Sequence, residues 1–489
     1  MRSGLGRFFK SFVSVWLTLS CILPLYSCSN QSNDTDQVDT TVTSRLVEVV
    51  TNGETAYQIV RPSSLSKSSV SVYSELKTQI SVSLSVYINM VKDTTDVSDY
   101  EILIGHTNRS LSEEAYQNLG TDQFSFTSSG NSIAIAASND QCMALAIEKF
   151  IELYVTDSGL TFDAAQLPQT FQCGTDYTEV TVDNTADIEA DDPYVINHNG
   201  NYYYCWSNGG VRVAKISNLN SITKENGVLV FDRTKYDFYS VWAPELHYIN
   251  GEWYIYVAMC KGSDDNAKHR MYVLKGTSQD PTDEFELVGQ ITDSTDKWAI
   301  DGTVFTFHDE LYFVWSGWPG DSDGQQNLYI AHMSDPTTID SPRVQISTAT
   351  SWDKVTTNPT VNEGPCVIVE GETVFILYSG NGSWTDDYCI GYLRCTNGDL
   401  LTASSWEKSK KSILYKTEKA YGPGHCSVTQ ADDGSYWIIY HANLVSGSGW
   451  SGRSVRIQPL TVSETSITRA NPELSVSLPI GKKYILDDE

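Results

Sequence analysis

The chain has 489 residues, more than a single core ordinarily serves, so two domains are expected. Hydrophobic residues at 40%, aromatics at 11%, 28 Tyr and 12 Trp exclude a disordered or fibrous protein. They suit a β-rich globular one, whose rings can also cover the apolar faces of sugars. A net charge of −28 works against nucleic acid and anionic lipid as partners and leaves neutral ligands open.

In chain order, the first stretch is MRSGLGRFFKSFVSVWLTLSCILPLYSCSN, with Arg2, Arg7 and Lys10 ahead of an apolar run from Phe12 to Tyr26. That is the order of a secretory signal, and the run is shorter than the about 20 residues a bilayer span needs. Its end, LYSC, resembles a bacterial lipobox. The resemblance implies a signal over 1–28, lipidation of Cys28, and export to an anchored position at the bacterial cell surface or periplasmic face. Ordinary cleavage is the alternative, since Tyr26 is bulky for such a box. Residues 29–43, SNQSNDTDQVDTTVT, are polar enough to read as a tether.

Residues 44–170 mix two periods. TAYQIV and YEILIG read as strands, SVYSELKTQISVSLSVYINMV and QCMALAIEKFIELYV as amphipathic helices, and DQFSFTSSGNSIAIAA as a hairpin. The expectation is a small α/β accessory domain without a catalytic motif. The eight cysteines after Cys28 form no Cys-x-x-Cys pair and several lie in apolar runs, so they read as buried thiols.

From 176 to 489 the helical pattern stops and a repeat takes over. Its units begin DDPYVINHNGNYYYCWS, WAPELHYINGEWYIYVA, AIDGTVFTFHDELYFVWSG, NEGPCVIVEGETVFILYSG and GPGHCSVTQADDGSYWIIYHA. The leading polar residues Asp192, Glu245, Asp301, Glu363 and His425 recur at steps of roughly 53 to 62 residues, room for four short strands each. Five such units predict a mainly β fold, a five-bladed β-propeller, in which the innermost strands bring equivalent positions to one axial funnel. Four carboxylates and an imidazole are therefore expected to meet there.

These motifs, DP in the first unit, WAPELHYINGEWYIY in the second, IDG in the third, NEGP in the fourth and GPGH in the fifth, resemble glycoside hydrolase family 43 over about residues 183 to 470. The resemblance implies Asp192 as general base, Glu363 as general acid and Asp301 as the residue that orients and tunes the acid. It implies Arg453, in GRSVRIQ, as a contact to sugar hydroxyls. His425 matches an axial histidine associated in the family with a calcium or a water, and no other cofactor is expected. Inverting hydrolysis needs a protonated carboxyl at the leaving oxygen and an ionised one holding water, about 6.5–9.5 Å apart, which residues on two blades can supply.

Trp242 and Glu245 are assigned to substrate binding. Arg456, Trp206, Trp318 and Trp384 fit pocket lining and packing equally, and Asp191 reads as a solvated acid beside the strand start. GSGWSG at 447–452 precedes a strand pattern rather than a helix and is no phosphate loop. The wording of LYFVWSGWPG, QQNLYIAHMSDP and SWTDDYCIG resembles the arabinofuranosidase branch. The expected function is an exo-acting α-L-arabinofuranosidase on a neutral plant oligosaccharide or polysaccharide such as arabinan or arabinoxylan. The alternatives are a β-xylosidase or galactofuranosidase of the same family, or a catalytically silent glycan-binding propeller lipoprotein.

Overall fold

The computed structural model describes residues 44–486 apart from 64, 66, 186, 187, 190 and 191. The signal, the tether, Cys28 and Asp191 lie outside the described residues.

The first part of the described chain builds a seven-stranded sheet in the order Asn89–Lys92, Gln58–Arg61, Glu101–Ile104, Ser132–Ala137, Gln123–Ser129, Gln169–Asp183, Ser475–Ile485. The first four strands are parallel and the remaining pairings antiparallel. Ile59, Ile102, Ile104 and Ile133 are fully enclosed, the near-continuous apolar reading of strands covered on both faces. Helix Asp140–Tyr154 is capped by the Asn139 side chain, which accepts from the Cys142 amide, and buries Met143, Ala146, Ile147, Phe150 and Tyr154 at helical spacing. The helix expected over 71–91 runs instead over Lys67–Leu84. Ser85 takes a left-handed φ of 48° that ends it, and the following β-branched stretch becomes the strand Asn89–Lys92.

Strand Gln169–Asp183 pairs with the hairpin strand Gln123–Ser129 through its first residues and with Ser475–Ile485 from Cys173 to Asp183. The chain thus enters and leaves the repeat region through one antiparallel pair. The expected boundary between 170 and 176 falls inside a continuous strand.

Between those two strands lie five antiparallel sheets of three to five strands, the five blades, whose inner strands are Tyr194–His198, Phe238–Ile249, Ala299–Phe307, Asn362–Glu370 and Tyr421–Gln430, followed by a small hairpin of Val462–Ser463 with Ser466–Ile467. The ring closes at two radii. Inside, the Ser427 hydroxyl accepts from the Val195 amide and donates to the Pro193 carbonyl, both at 3.0 Å, and Thr429 accepts from the Asn197 amide. Outside, the fifth blade has three strands of its own, and Ile188 and Glu189 add to its free edge: Val455 N–H donates to the Ile188 carbonyl at 3.0 Å and Glu189 bridges to Ser454. The Asn184 amide continues that edge, donating to the Ile457 carbonyl and accepting from the Ile457 amide.

One local feature repeats in every blade. In the second to fifth inner strands, three steps oppose two on the neighbouring strand, between Trp242 and Glu245, Ile300 and Thr303, Glu363 and Cys366, and Gly424 and Ser427. The first residue of each bulge is left-handed: Ala243 (φ 41°), Asp301 (55°), Gly364 (56°) and His425 (44°). Asp192 (50°) takes the same position just ahead of the first inner strand. In three blades the next residue is Pro, which needs no ladder partner and disfavours the right-handed helical region before it. A left-handed conformation costs on the order of 1 kcal/mol at each non-glycine residue, and strain of this kind concentrates where a fold aims side chains.

Candidate active site

The bulges settle which residues are equivalent. Asp192, Asp301 and His425 hold the same left-handed position in the first, third and fifth blades. Glu363 precedes that position by one residue and Glu245 follows it by two, so the expected convergence of five in-phase residues is corrected to three, with two offset. Glu245 is buried and accepts from His247 Nε2 at 2.9 Å. Its charge reaches Tyr194, Cys205, Cys366 and Cys426 and also Asp301, so it lies in the packed interior within electrostatic reach of the site.

At the mouth Asp192, Asp301 and His425 are linked directly, and Glu363 joins them through its neighbour Gly364. His425 Nδ1 lies 3.1 Å from Asp192 Oδ1 and 4.0 Å from Asp301 Oδ2. The Gly364 amide donates to Asp301 Oδ2 at 3.0 Å, and the Asp192 amide donates to Nδ1 of the buried His441 at 3.4 Å. The Tyr388 hydroxyl donates to Glu363 Oε1 at 2.9 Å. Two glycines of the motifs follow from this crowding. A Cβ on Gly364 would sit 3.2 Å from the His425 ring, and one on Gly424 would enter the Tyr388 ring at 1.9 Å. The glycines of NEGP and GPGH are thus what let His425 and Tyr388 approach the carboxyls.

Enclosure pushes the Glu363 carboxyl up to about 7, and the Asp192 charge adds to it. The Tyr388 hydrogen bond and the Arg453 charge act in the opposite sense. Glu363 keeps partial access to solvent, as a donor to an incoming substrate must. The Asp301 carboxyl is raised well above its ordinary range by burial first, then by Glu363 and Asp192, against the Gly364 amide. The resemblance gave Asp301 the tuning of Glu363; enclosure is the largest cause of the shift, and Asp192 is the carboxylate that adds to it. Two enclosed carboxyls that repel each other hold a proton between them near neutrality. His441 is held well below its ordinary value by burial, then by Arg453 and His425. It is neutral, and the acceptor role of Nδ1 leaves its proton on Nε2.

Tyr388→Phe removes a donor that favours ionised Glu363. The basic limb of the kcat/KM pH profile is therefore expected to move to higher pH, with the acid limb in place. An unmoved basic limb would separate Tyr388 from the acid.

Arg453 is buried, donates from Nη2 to the Ser383 carbonyl at 2.8 Å, and lies close enough to Glu363 and His441 to act on both. Trp242 is 38% exposed and stacks at 3.7 Å on the buried His269. Trp384 is equally exposed. The other candidates are packing. Trp206 lies stacked on Tyr204, Trp318 on Trp298, and Arg456 is fully buried against the Asn184 carbonyl. Sequence reasoning missed Tyr388, which reaches Glu363 across its own blade, and His441, which meets Asp192 from the neighbouring one. A hard cation takes six or more oxygens, whereas His425 offers one nitrogen already facing Asp192. Among the described residues no group of three His, Cys, Asp or Glu is placed to hold a metal ion directly, so a cation at His425 would be held through water.

A cavity of about 590 Å³ lies elsewhere. It lies at the far ends of the inner strands, bounded by Asn197, Gln430 and Asp432 on one side and Asp122, Asn139 and Lys483 on the other, and no carboxyl of the mouth lines it.

Fold and site together define a five-bladed propeller that presents an enclosed acid pair beside a third, hydrogen-bonded carboxylate. The chain belongs to the glycosyl hydrolases family 43, whose sequence model matches residues 185–466, more than half the chain and all five blades. It is 34% identical over 276 residues to an extracellular exo-α-(1→5)-L-arabinofuranosidase of Streptomyces avermitilis, covering 54% of this chain and 56% of that one. It is 30% identical over 282 residues to α-L-arabinofuranosidase 43 of Humicola insolens, covering 55% and 58%. The chain thus spans little more than half the length of these curated relatives. An α-L-arabinofuranosidase from Lactobacillus brevis superposes with a TM-score of 0.55 at 28% identity, over 60% of this chain and 97% of that one.

Proposed function

We propose that the protein is an exo-acting α-L-arabinofuranosidase that releases arabinose from a neutral plant oligosaccharide or polysaccharide with inversion. The observation that carries this reading is the pairing of an enclosed carboxyl held protonated to about pH 7, Glu363, with a second carboxylate, Asp192, fixed by His425 on a different blade. The names of the relatives in both comparisons support the sugar. Asp192 takes the proton of a water on one face of the sugar while Glu363 gives its proton to the leaving oxygen on the other. Asp301, held by the Gly364 amide, sits against the acid and keeps the pair's proton available. Arg453 orients sugar hydroxyls beside Glu363, and Trp242 offers an exposed ring at the second blade. The reading includes export on a lipid anchor, supported by the charged, apolar leader ahead of Cys28 and by the extracellular name of the Streptomyces avermitilis relative.

A panel of aryl α-L-arabinofuranoside, β-D-xyloside and β-D-galactofuranoside tests the substrate. The arabinofuranoside is expected to give the highest kcat/KM, and preference for either other sugar would overturn the assignment.

A further inference from the structure

Two tryptophans stand at the mouth without a place in this chemistry. Trp384 is 38% exposed and Trp450 64%, and their rings meet edge to face at 6.1 Å. Leu444 and Val445, 46% and 66% exposed, lie on the same loop as Trp450. An exposed apolar group of this size, rimmed by polar residues, marks a surface that binds something.

The patch is braced. Residues 381–388, between strands Thr373–Gly380 and Cys389–Cys395, carry Trp384 and Tyr388; residues 444–452, between Tyr436–Asn443 and Arg453–Pro459, carry Trp450. The Asp386 carboxylate accepts from the Ser446 hydroxyl and the Gly447 amide, joining the two loops. Asn381 accepts from the Val355 amide and donates to the Trp352 and Asp387 carbonyls, and Asn443 donates to the Gly449 carbonyl. The rings are held in place before any ligand arrives, which lowers the ordering cost of binding.

Its position relative to the acid follows from two connections. Tyr388, on the same short loop as Trp384, holds Glu363. Ser383 accepts from Trp450 Nε1 through its hydroxyl at 3.2 Å and from Arg453 through its carbonyl at 2.8 Å, and Arg453 acts on Glu363. The tryptophans therefore share their loops with the groups that act on the proton donor, and the proton donor stands where the leaving oxygen must be.

Building on the reading of Glu363 as the acid, we propose that Trp384 and Trp450 form an aromatic platform that binds the first glycosyl residue of the leaving group, so that the substrate is a saccharide chain end rather than a simple glycoside. A sugar ring lays its C–H face on an indole while its hydroxyls stay in water, which suits a half-exposed ring held by its own N–H.

The test compares Trp384→Ala and Trp450→Ala on an α-1,5-linked arabinotriose and on methyl α-L-arabinofuranoside, whose leaving group has no ring. Each variant is expected to lower kcat/KM on the triose about three- to tenfold more than on the methyl glycoside, the scale of one lost aromatic contact. Trp450→Phe should recover most of that difference. Equal losses on both substrates, or none on the triose, would overturn the platform. Calorimetric binding of the triose to the Glu363→Gln chain, with and without Trp384→Ala, reads the same contact without turnover, and equal affinities would also overturn it. Should the aryl panel favour another sugar, the arabinose reading falls, and the comparison is run with that sugar's trisaccharide and methyl glycoside, where the same difference decides the platform.

Discussion

Glu363→Gln is expected to lower kcat/KM on arabino-oligosaccharides by about 10²–10⁴, the range for loss of a positioned general acid, while sparing most activity on nitrophenyl arabinofuranoside. A sugar alkoxide is a poor leaving group and must be protonated as the bond breaks, whereas a nitrophenolate barely needs the proton. Gln keeps an acceptor for the Tyr388 hydroxyl, so the loop that carries Tyr388 retains its contact and the loss reports the proton. In the parent chain the same proton sets the basic limb. The carboxyl is raised to about 7, so the protonated fraction, and kcat/KM with it, falls as pH rises through that value and is full below it. In Glu363→Gln that limb should disappear. Equal losses on both substrates would remove Glu363 from the acid's role.

Asp192→Asn is expected to abolish that discrimination. Activation of water is needed whatever group departs, so both substrates should lose activity by a similar factor, again about 10²–10⁴. The substitution is gentle on the fold. An Asn carbonyl oxygen can still accept from His425 Nδ1, and the backbone amide that donates to His441 is untouched. Asn also tolerates the left-handed conformation that position 192 requires. A variant that kept activity on oligosaccharides while losing it on nitrophenyl substrates would contradict the assignment of the base.

The five-bladed architecture was legible because every blade repeats one physical device, a short apolar strand entered through Pro or Gly beside a polar residue. Periodicity could not reveal the phase. A bulge inserts a single residue, and a one-residue offset moves a side chain to the other face of its strand. Glu245 looked equivalent to Asp192 and Asp301 in the sequence yet sits two residues past the left-handed position, paired with His247, while Glu363 precedes that position by one. The left-handed residue itself was hidden, since only Gly364 of the five is glycine. Tyr388 carried no local signal, because its role depends on Gly424 clearing space for its ring from a neighbouring blade. The pairing of Ser475–Ile485 with Gln169–Asp183 joins segments some three hundred residues apart, a distance at which strand periodicity alone names no partner.

The central claim, two carboxylates acting from opposite faces of the sugar, is tested most directly by proton NMR during the first minutes of hydrolysis of an aryl α-L-arabinofuranoside. Water delivered by Asp192 opposite the departing group yields β-L-arabinofuranose first, with the α anomer growing in only by mutarotation. Initial appearance of the α anomer would mean retention through a covalent intermediate and would contradict the account.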